Sequence, residues 1–446
     1  MQAQTRLVQI HRNGFAPAER LRPPAFHLFG TAAGSHVLMV NGSRIFSIAE
    51  DVAMALRASD DEDQAIRYFG LDAPAYIDDA APLDPPVRSL SLAVAQKCNL
   101  ACTYCYAQQG DFGNVPKDMS TEVADRSVDL LFSSVRSGER VQLTFLGGEP
   151  LTNRGVLRRA TERAAILAAR SGTEVRFSVT TNGTLLTPED GEFFERHGFA
   201  VTISLDGPAE AHDALRPSKG GAPTFDRVMS RVLPLLRLQR RMQVSARVTV
   251  TPLNLSLRET LDGFLNAGFH SVGFSPLLSS GSGQAEMSGQ ELETMLAGMV
   301  ACGEEFERRI LRGERYSFLN MTNAMQQLHK GTHRPYPCGA GAGYFGVSAD
   351  GELYACHRFV EDPDGHMGDI DSGPDRARQR TWLTERHVHR QEPCRSCWAR
   401  YLCGGGCHHE TIRRGRPACD YIRGWLDYCL RAYVRLLHAR PEYFAA

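Results

Sequence analysis

The chain has 446 residues, 42% hydrophobic and 23% charged, enough for two or three domains with a sizeable buried core. Fifty basic residues against fifty-one acidic ones give a net charge of -1, which argues against a general binder of nucleic acid or of membrane surfaces. No apolar run is long enough to span a bilayer, and the opening "MQAQTRLVQIHRNGF" has no apolar signal core, so a soluble, cytoplasmic protein is expected.

Residues 1–86 read as a small separate unit. "VLMVNGSRIFSI" (Val37–Ile48) predicts two short strands joined by Asn41-Gly42, a pair that tolerates positive φ in a tight hairpin turn. A helical stretch, "AEDVAMAL", comes next, and "APLDPPVR" (Ala81–Arg88) reads as a linker because of its three prolines.

From residue 87 to 280 a βα rhythm takes over. Strand-like segments are Leu90–Ala95, Val141–Leu146, Val175–Thr180, Ala200–Leu205, Val244–Val250 and Ser271–Ser275. Helix signals lie between them. Ser120 is an N-cap candidate, and "TPED" places Thr187 as cap, Pro188 at the first helical position and two acids at the positive helix end. Six strands alternating with helices imply a parallel sheet, closed or partly closed, with catalytic groups at the carboxyl ends of the strands. Residues 281–335 read as a mainly helical connection after the Gly/Ser-rich "SSGSGQ". Residues 336–446 are rich in cysteine and glycine and end in an amphipathic helix.

Twelve cysteines in a reducing compartment point to metal ligands before disulfides. Cys98, Cys102 and Cys105 come directly after the first strand of the βα series in a C-x3-C-x2-C loop. Three thiolates can hold three irons of a [4Fe–4S] cluster and leave the fourth iron open to a substrate or cofactor. The plainer readings are a zinc site with a distant fourth ligand, or three unrelated buried thiols. Seven more cysteines lie between Cys338 and Cys419; only Cys302 and Cys429 stand apart from both groups.

This loop, with Tyr104 before its third cysteine, resembles the radical S-adenosylmethionine (SAM) superfamily. "GGEP" (Gly147–Pro150), "TTNGTLL" (Thr180–Leu186) and "SLDGP" (Ser204–Pro208) sit after the next three strands in the order that family shows. The resemblance implies a partial (β/α)6 barrel. It implies SAM contacts at Gly147, Gly148, Glu149 and Asn182, with Ser204 and Arg216 holding the SAM carboxylate. A solvated loop position is the plainer reading of Arg216.

The tail resembles the SPASM extension of peptide-modifying members, which carries two auxiliary [4Fe–4S] clusters. That likeness implies one cluster on Cys394, Cys397, Cys403 and Cys419. It implies a second on Cys338, Cys356 and Cys407, with Tyr344 near the place where some relatives supply a fourth cysteine. The missing ligand could be water, Cys302 or a substrate thiolate. His357 stands where sulfatase-maturing relatives have an aspartate base. It reads as a catalytic base, a hydrogen-bond partner of the cluster, or a packed residue.

Taken whole, the resemblance implies three [4Fe–4S] clusters, SAM, a reducing electron donor, and a small protein or precursor peptide as substrate. No nucleic-acid or membrane partner is expected. It is nearest to maturation proteins of quinohemoprotein amine dehydrogenase, which build Cys-to-Asp/Glu thioethers in a small subunit. A carbon–carbon cyclophane maturase and a non-catalytic iron–sulfur peptide carrier are the alternatives. The N-terminal unit is either a recognition module that pairs with a peptide strand or a cover for the barrel.

Overall fold

The computed structural model describes residues 23–72, 80–283, 285–331 and 333–445. The first 22 residues of the N-terminal unit lie outside the described residues. The rest of that unit opens with a three-stranded antiparallel sheet of β1 (Phe26–Thr31), β2 (Gly34–Met39) and β3 (Arg44–Ile48). Sequence reading found the second and third of these and missed the first. The turn also differs from expectation. Met39 pairs with Arg44, so four residues form the loop, and the left-handed positions are Gly42 and Ser43 instead of Asn41-Gly42. The N-terminal sheet docks on the C-terminal section. His27 bonds Asp427 at 3.0 Å and stacks on Trp398, and Arg400 donates to the Pro24 carbonyl.

The main sheet begins with β4 (Ser89–Gln96), whose edge end takes the two-residue β5 (Lys117–Asp118). It continues through β6 (Arg140–Gly147), β7 (Glu174–Thr181), β8 (Ala200–Ser204), β9 (Gln243–Val250) and β10 (Ser271–Pro276). The spatial order is β10-β9-β8-β7-β6-β4, all parallel, with each strand beside its chain neighbour. All six strands read from the sequence are present. On β9 the alternation is explicit: Val244, Ala246, Val248 and Val250 are buried against helices, and Ser245, Arg247 and Thr249 take the inner face. The inner face is polar across neighbouring strands too, with Thr144 Oγ1 to Ser178 Oγ and Ser245 Oγ to Ser271 Oγ both at 2.8 Å.

The helix signals hold at their starts. Ser120 accepts from the Val123 N–H, and Thr187 with Asp190 forms a full capping box. The connection contains helices Gly289–Leu311 and Leu319–His329. No helix among the described residues is long and apolar enough to cross a membrane.

The sheet does not stop at the sixth strand. β11 (Tyr344–Val347) pairs parallel with β4, and β12 (Glu352–Tyr354), β13 (His366–Asp369) and β14 (Gly373–Pro374) extend it as an antiparallel meander. The cysteine-rich section is therefore stitched to the first strand of the barrel. The long helix Cys419–Ala439 closes the molecule against Gly289–Leu311, where Glu307 takes two bonds from Arg435 and one from Tyr428.

One buried histidine makes the fold acid-sensitive in a testable way. His212 has no exposed surface; its Nδ1 accepts from the Asp206 N–H, and its Nε2 bonds the Thr224 hydroxyl, which donates to the Arg216 carbonyl. Burial, helped by the Arg216 charge, lowers its pKa from 6.5 to about 3. Between those values the unfolded chain takes up a proton that the folded chain refuses, so stability falls as pH falls through the window. At pH 5 the loss from this group is about 2 kcal/mol. Denaturant midpoints at pH 7 and pH 5 should drop less in His212→Gln than in the unmodified chain. Equal drops would show that His212 is not a source of the acid loss.

Candidate active site

The Cys98–Cys105 loop leaves β4 and is clamped from two sides. Ala101 and Thr103 donate their N–H groups to the carbonyls of Pro217 and Leu215. Asn182, at the end of β7, donates to Asn99 Oδ1 at 3.0 Å and to Cys98 Sγ at 3.7 Å, and the Leu100 N–H points at the same sulfur at 3.4 Å. Such N–H···S contacts stabilise a thiolate and tune any iron it binds.

The Gly147-Gly148 turn is locked into the base of the loop. A Cβ at Gly148 would come within 2.2 Å of the Lys97 carbonyl oxygen, and one at Gly110 within 2.5 Å of the Cys98 Cβ. The N–H groups of Gly148 and Glu149 donate to the carbonyls of Ala95 and Lys97. The Glu149 carboxylate is fully buried. It accepts from the Leu151 N–H, the Thr181 hydroxyl and the Asn182 N–H at 2.7 to 3.0 Å. Burial raises its pKa while these three donors pull it down. Its side chain ties the ends of β6 and β7 together, which leaves the backbone of this turn for the SAM contact expected of Glu149.

Beneath Cys102 lies a buried set of three. The Tyr104 hydroxyl donates to Asp206, Arg216 Nη1 donates to the Tyr104 oxygen at 2.6 Å, and Arg216 sits 3.8 Å from Asp206. The Thr249 N–H completes the Asp206 shell at 3.0 Å. Arg216 is thus not a solvated loop residue. It keeps one buried donor, Nε, without a partner, which fits a ligand carboxylate. Ser204 closes β8 on the inner face, level with Arg247.

The C-terminal cysteines gather in two groups. Cys394 neighbours Cys403, Cys419 and Cys397, and these line a small apolar cavity of about 80 Å³ together with Cys407. Cys403 accepts from the Gly405 and Gly406 N–H groups, whose left-handed φ values of 96° and 79° turn both amides toward the sulfur. In the other group burial pushes Cys356 up to about 12, with Cys407 and Cys338 beside it. Arg358 stands 3.8 Å from Cys407 Sγ and bonds Glu410 at 2.6 Å. Cys302 is elsewhere, buried in Gly289–Leu311 near Arg258 and Asp262, and joins neither group. Tyr344, on β11, accepts from the Ser91 hydroxyl and bonds His357 Nδ1 at 2.6 Å. Burial and the Arg358 charge lower His357 to about 4, so it is neutral at pH 7.

All twelve cysteines are free thiols. Among the described residues no group of three or more His, Cys, Asp or Glu closes at the spacing of a single bound ion. A cubane, with its irons at separate corners, asks for more widely set sulfurs than one tetrahedral zinc. The thiols are neighbours in three groups of three, three and four, and thiols raised by burial would give up their protons on binding metal.

Residues 92–265 match the family model of the Radical SAM superfamily. The solved structure of anSMEcpe with bound AdoMet superposes at a TM-score of 0.65 and 21% identity, over 78% of this chain and 99% of that one. The chain has the radical SAM fold. Curated relatives extend the likeness beyond the barrel. It is 26% identical over 385 residues to the serine-type anaerobic sulfatase-maturating enzyme of Klebsiella aerogenes, covering 82% of this chain and 92% of that protein. It is 24% identical over 381 residues to the cysteine-type enzyme of Clostridium perfringens, covering 79% and 98%.

Tyr106 is the residue that sequence reading missed most clearly. Its ring lies 5.9 Å from His357 and 5.5 Å beneath the Arg358 guanidinium, and its neighbours include both Cys105 and Cys356. It borders a polar cavity of about 550 Å³, also lined by Gln108, Phe112, Arg358, Glu361 and His409. Gln108, Phe112 and Glu361 all hold positive φ, between 48° and 64°, and such strain in non-glycine residues gathers at working sites.

Proposed function

We propose that this chain is a radical SAM maturase that joins a cysteine sulfur to a carbon of an Asp or Glu in a small protein or precursor peptide. The small subunit of an amine dehydrogenase is one such substrate. The observation that carries the reading is the 550 Å³ cavity, whose wall includes Tyr106 beside Cys105 and Arg358 beside Cys407. The sulfatase-maturating relatives act on polypeptides, and anSMEcpe has been solved with a bound Cp18Cys peptide.

Cys98, Cys102 and Cys105 would hold the first of three [4Fe–4S] clusters. Cys338, Cys356 and Cys407 would hold the second, and Cys394, Cys397, Cys403 and Cys419 the third. When bound, the clusters and SAM supply the electron and the carbon-centred radical that takes a hydrogen atom from an unactivated carbon. The chain's own residues position and shield. The Gly147-Gly148 turn and Asn182 shape the SAM side, with Ser204 and the spare Arg216 Nε for its carboxylate. Tyr344, its phenol tied to Ser91 and His357, would not serve as a fourth ligand beside Cys338, Cys356 and Cys407, so a substrate sulfur could complete that set. The sulfur must lose a proton. Tyr344 Oη and His357 Nδ1, bonded at 2.6 Å, would offer it a hydrogen-bonded acceptor pair.

The test is mass spectrometry of a peptide treated with cluster-loaded enzyme, SAM and reductant under anaerobic conditions. Each crosslink should remove two hydrogens, about 2 Da, since one C–H and one S–H give way to a single bond: one hydrogen leaves as an atom to the SAM-derived radical, the other as a proton, and the cluster that Cys338, Cys356 and Cys407 would hold would take up the surplus electron. The cysteine should resist both alkylation and reduction. A cysteine that still alkylates beside a crosslinked aromatic residue would select the cyclophane reading. A second reading, sulfatase maturation, is favoured by the relatives and opposed by His357 at the aspartate position. Its product is an aldehyde that a hydrazide captures, which a thioether does not.

A further inference from the structure

Arg358 is held between a sulfur, a carboxylate and a ring. Its Nη1 donates to Cys407 Sγ at 3.8 Å and to Glu410 Oε1 at 2.6 Å. The Tyr106 ring lies 5.5 Å beneath the guanidinium. Its Nε is buried and has no partner in the protein, which leaves a second N–H on the same side chain. Arg358 and Glu410 are 18% and 17% exposed, so salt screens their charges little. Cys98 differs, because the donors to its sulfur, Asn182 Nδ2 and the Leu100 amide, are neutral. Cys407 and Cys356, the second of which lies two positions before Arg358, belong to the set read above as the second cluster's ligands. A reduced cluster carries one more negative charge than an oxidised one. A cation that donates to its thiolate therefore stabilises the reduced form more and raises the potential. Glu410 opposes that effect from the far side of the same guanidinium.

We propose that Arg358 is a positioning residue that raises the reduction potential of the second cluster, so that this cluster accepts the electron released as the carbon–sulfur bond forms. This rests on the thioether reading above. There the C–H hydrogen leaves as an atom to the SAM-derived radical and the S–H hydrogen as a proton, so closing the C–S bond leaves one surplus electron. The cluster is the oxidant and is reduced by that one electron. The Tyr106 ring and the Glu410 carboxylate fix the guanidinium, which keeps its charge at the sulfur.

The test is a potentiometric titration of the full, cluster-loaded protein without peptide, followed by electron paramagnetic resonance. The second cluster is recognised as the signal lost in Cys356→Ala. In Arg358→Gln its reduction should become about tenfold less favourable, a midpoint about 59 mV lower for one electron. Arg358→Lys keeps the charge without the planar fork and should recover part of the shift. Glu410→Gln keeps an acceptor oxygen for Arg358 and should move the midpoint upward. The signals of the other two clusters should stay in place. A purely structural role would cost iron in both variants and would not produce midpoint shifts of opposite sign. An unmoved midpoint in Arg358→Gln, or shifts of the same sign in Arg358→Gln and Glu410→Gln, overturns the proposal. If Arg358→Gln fails to load the cluster, Glu410→Gln decides: a rise supports the proposal and no rise overturns it. Because no peptide is present, a failure here leaves the crosslink mass test standing on its own, and a failed mass test leaves the midpoints readable.

Discussion

On the proposed ligand assignment, replacing any one of Cys98, Cys102 and Cys105 by alanine is expected to abolish reductive SAM cleavage while leaving in place the absorbance of the two clusters that the C-terminal cysteines would hold. The reason is spatial. The loop is held by Pro217, Leu215, Asn182 and the Gly147-Gly148 turn, whereas the seven C-terminal cysteines are organised by their own glycines and arginines. Loss of one loop thiol removes one of three ligands and leaves the other two groups with all of theirs. Anaerobic reconstitution of the unmodified chain should load about twelve irons, four per cubane, and each loop variant about eight. Iron content and release of 5′-deoxyadenosine are measured on the same samples. A triple alanine variant that still releases 5′-deoxyadenosine would refute the assignment, and so would stoichiometric zinc in the unmodified protein.

Glu149→Ala is expected to be among the most damaging single changes, although the residue need not touch any ligand. It removes the acceptor for the Leu151 and Asn182 N–H groups and the Thr181 hydroxyl, all buried. Each orphaned donor costs about 1–3 kcal/mol, so a total loss of about 3 to 5 kcal/mol is expected after partial relaxation. Asn182 also loses the bond that fixes its backbone, and with it the N–H···S contact to Cys98. Denaturant midpoint and cluster content should therefore fall together. Glu149→Gln retains an acceptor oxygen for part of the set and should lie between. If Glu149→Ala melts like the unmodified chain, the carboxylate is not the staple described.

The six parallel strands were legible because each is a β-branched or apolar run with turn residues after it, and the SAM-family motifs sit in those turns. The ten clustered cysteines stand out by spacing, and within each expected set they are one another's neighbours in the fold. β1 was missed because "FHLFGT" precedes a hairpin that is explicit only in its second half. The short strands β11 to β14 hid in glycine-rich sequence, where four residues of alternation carry little signal. Arg247 could have been found: in "VSARVTV" the alternation places it among Ser245 and Thr249 on the polar side. The inward turn of Glu149 could not, since its partners lie 32 and 33 positions away. Nor could Tyr106, whose meaning comes from His357 and Arg358 across the fold.

The parallel pairing of β11 with β4 bears on how the chain must be made. Ser91 and Tyr344, bonded side by side, are separated by 253 positions, so the first barrel strand waits through synthesis of more than half of the molecule for its outer neighbour. Until then β4 presents an open edge, the template on which nascent chains stick to one another. Cutting the gene after residue 335 would therefore yield no smaller, simpler barrel, but a chain with a permanently bare apolar strand. Slow elongation, low temperature and an early supply of iron are the conditions under which such a protein should be recovered whole.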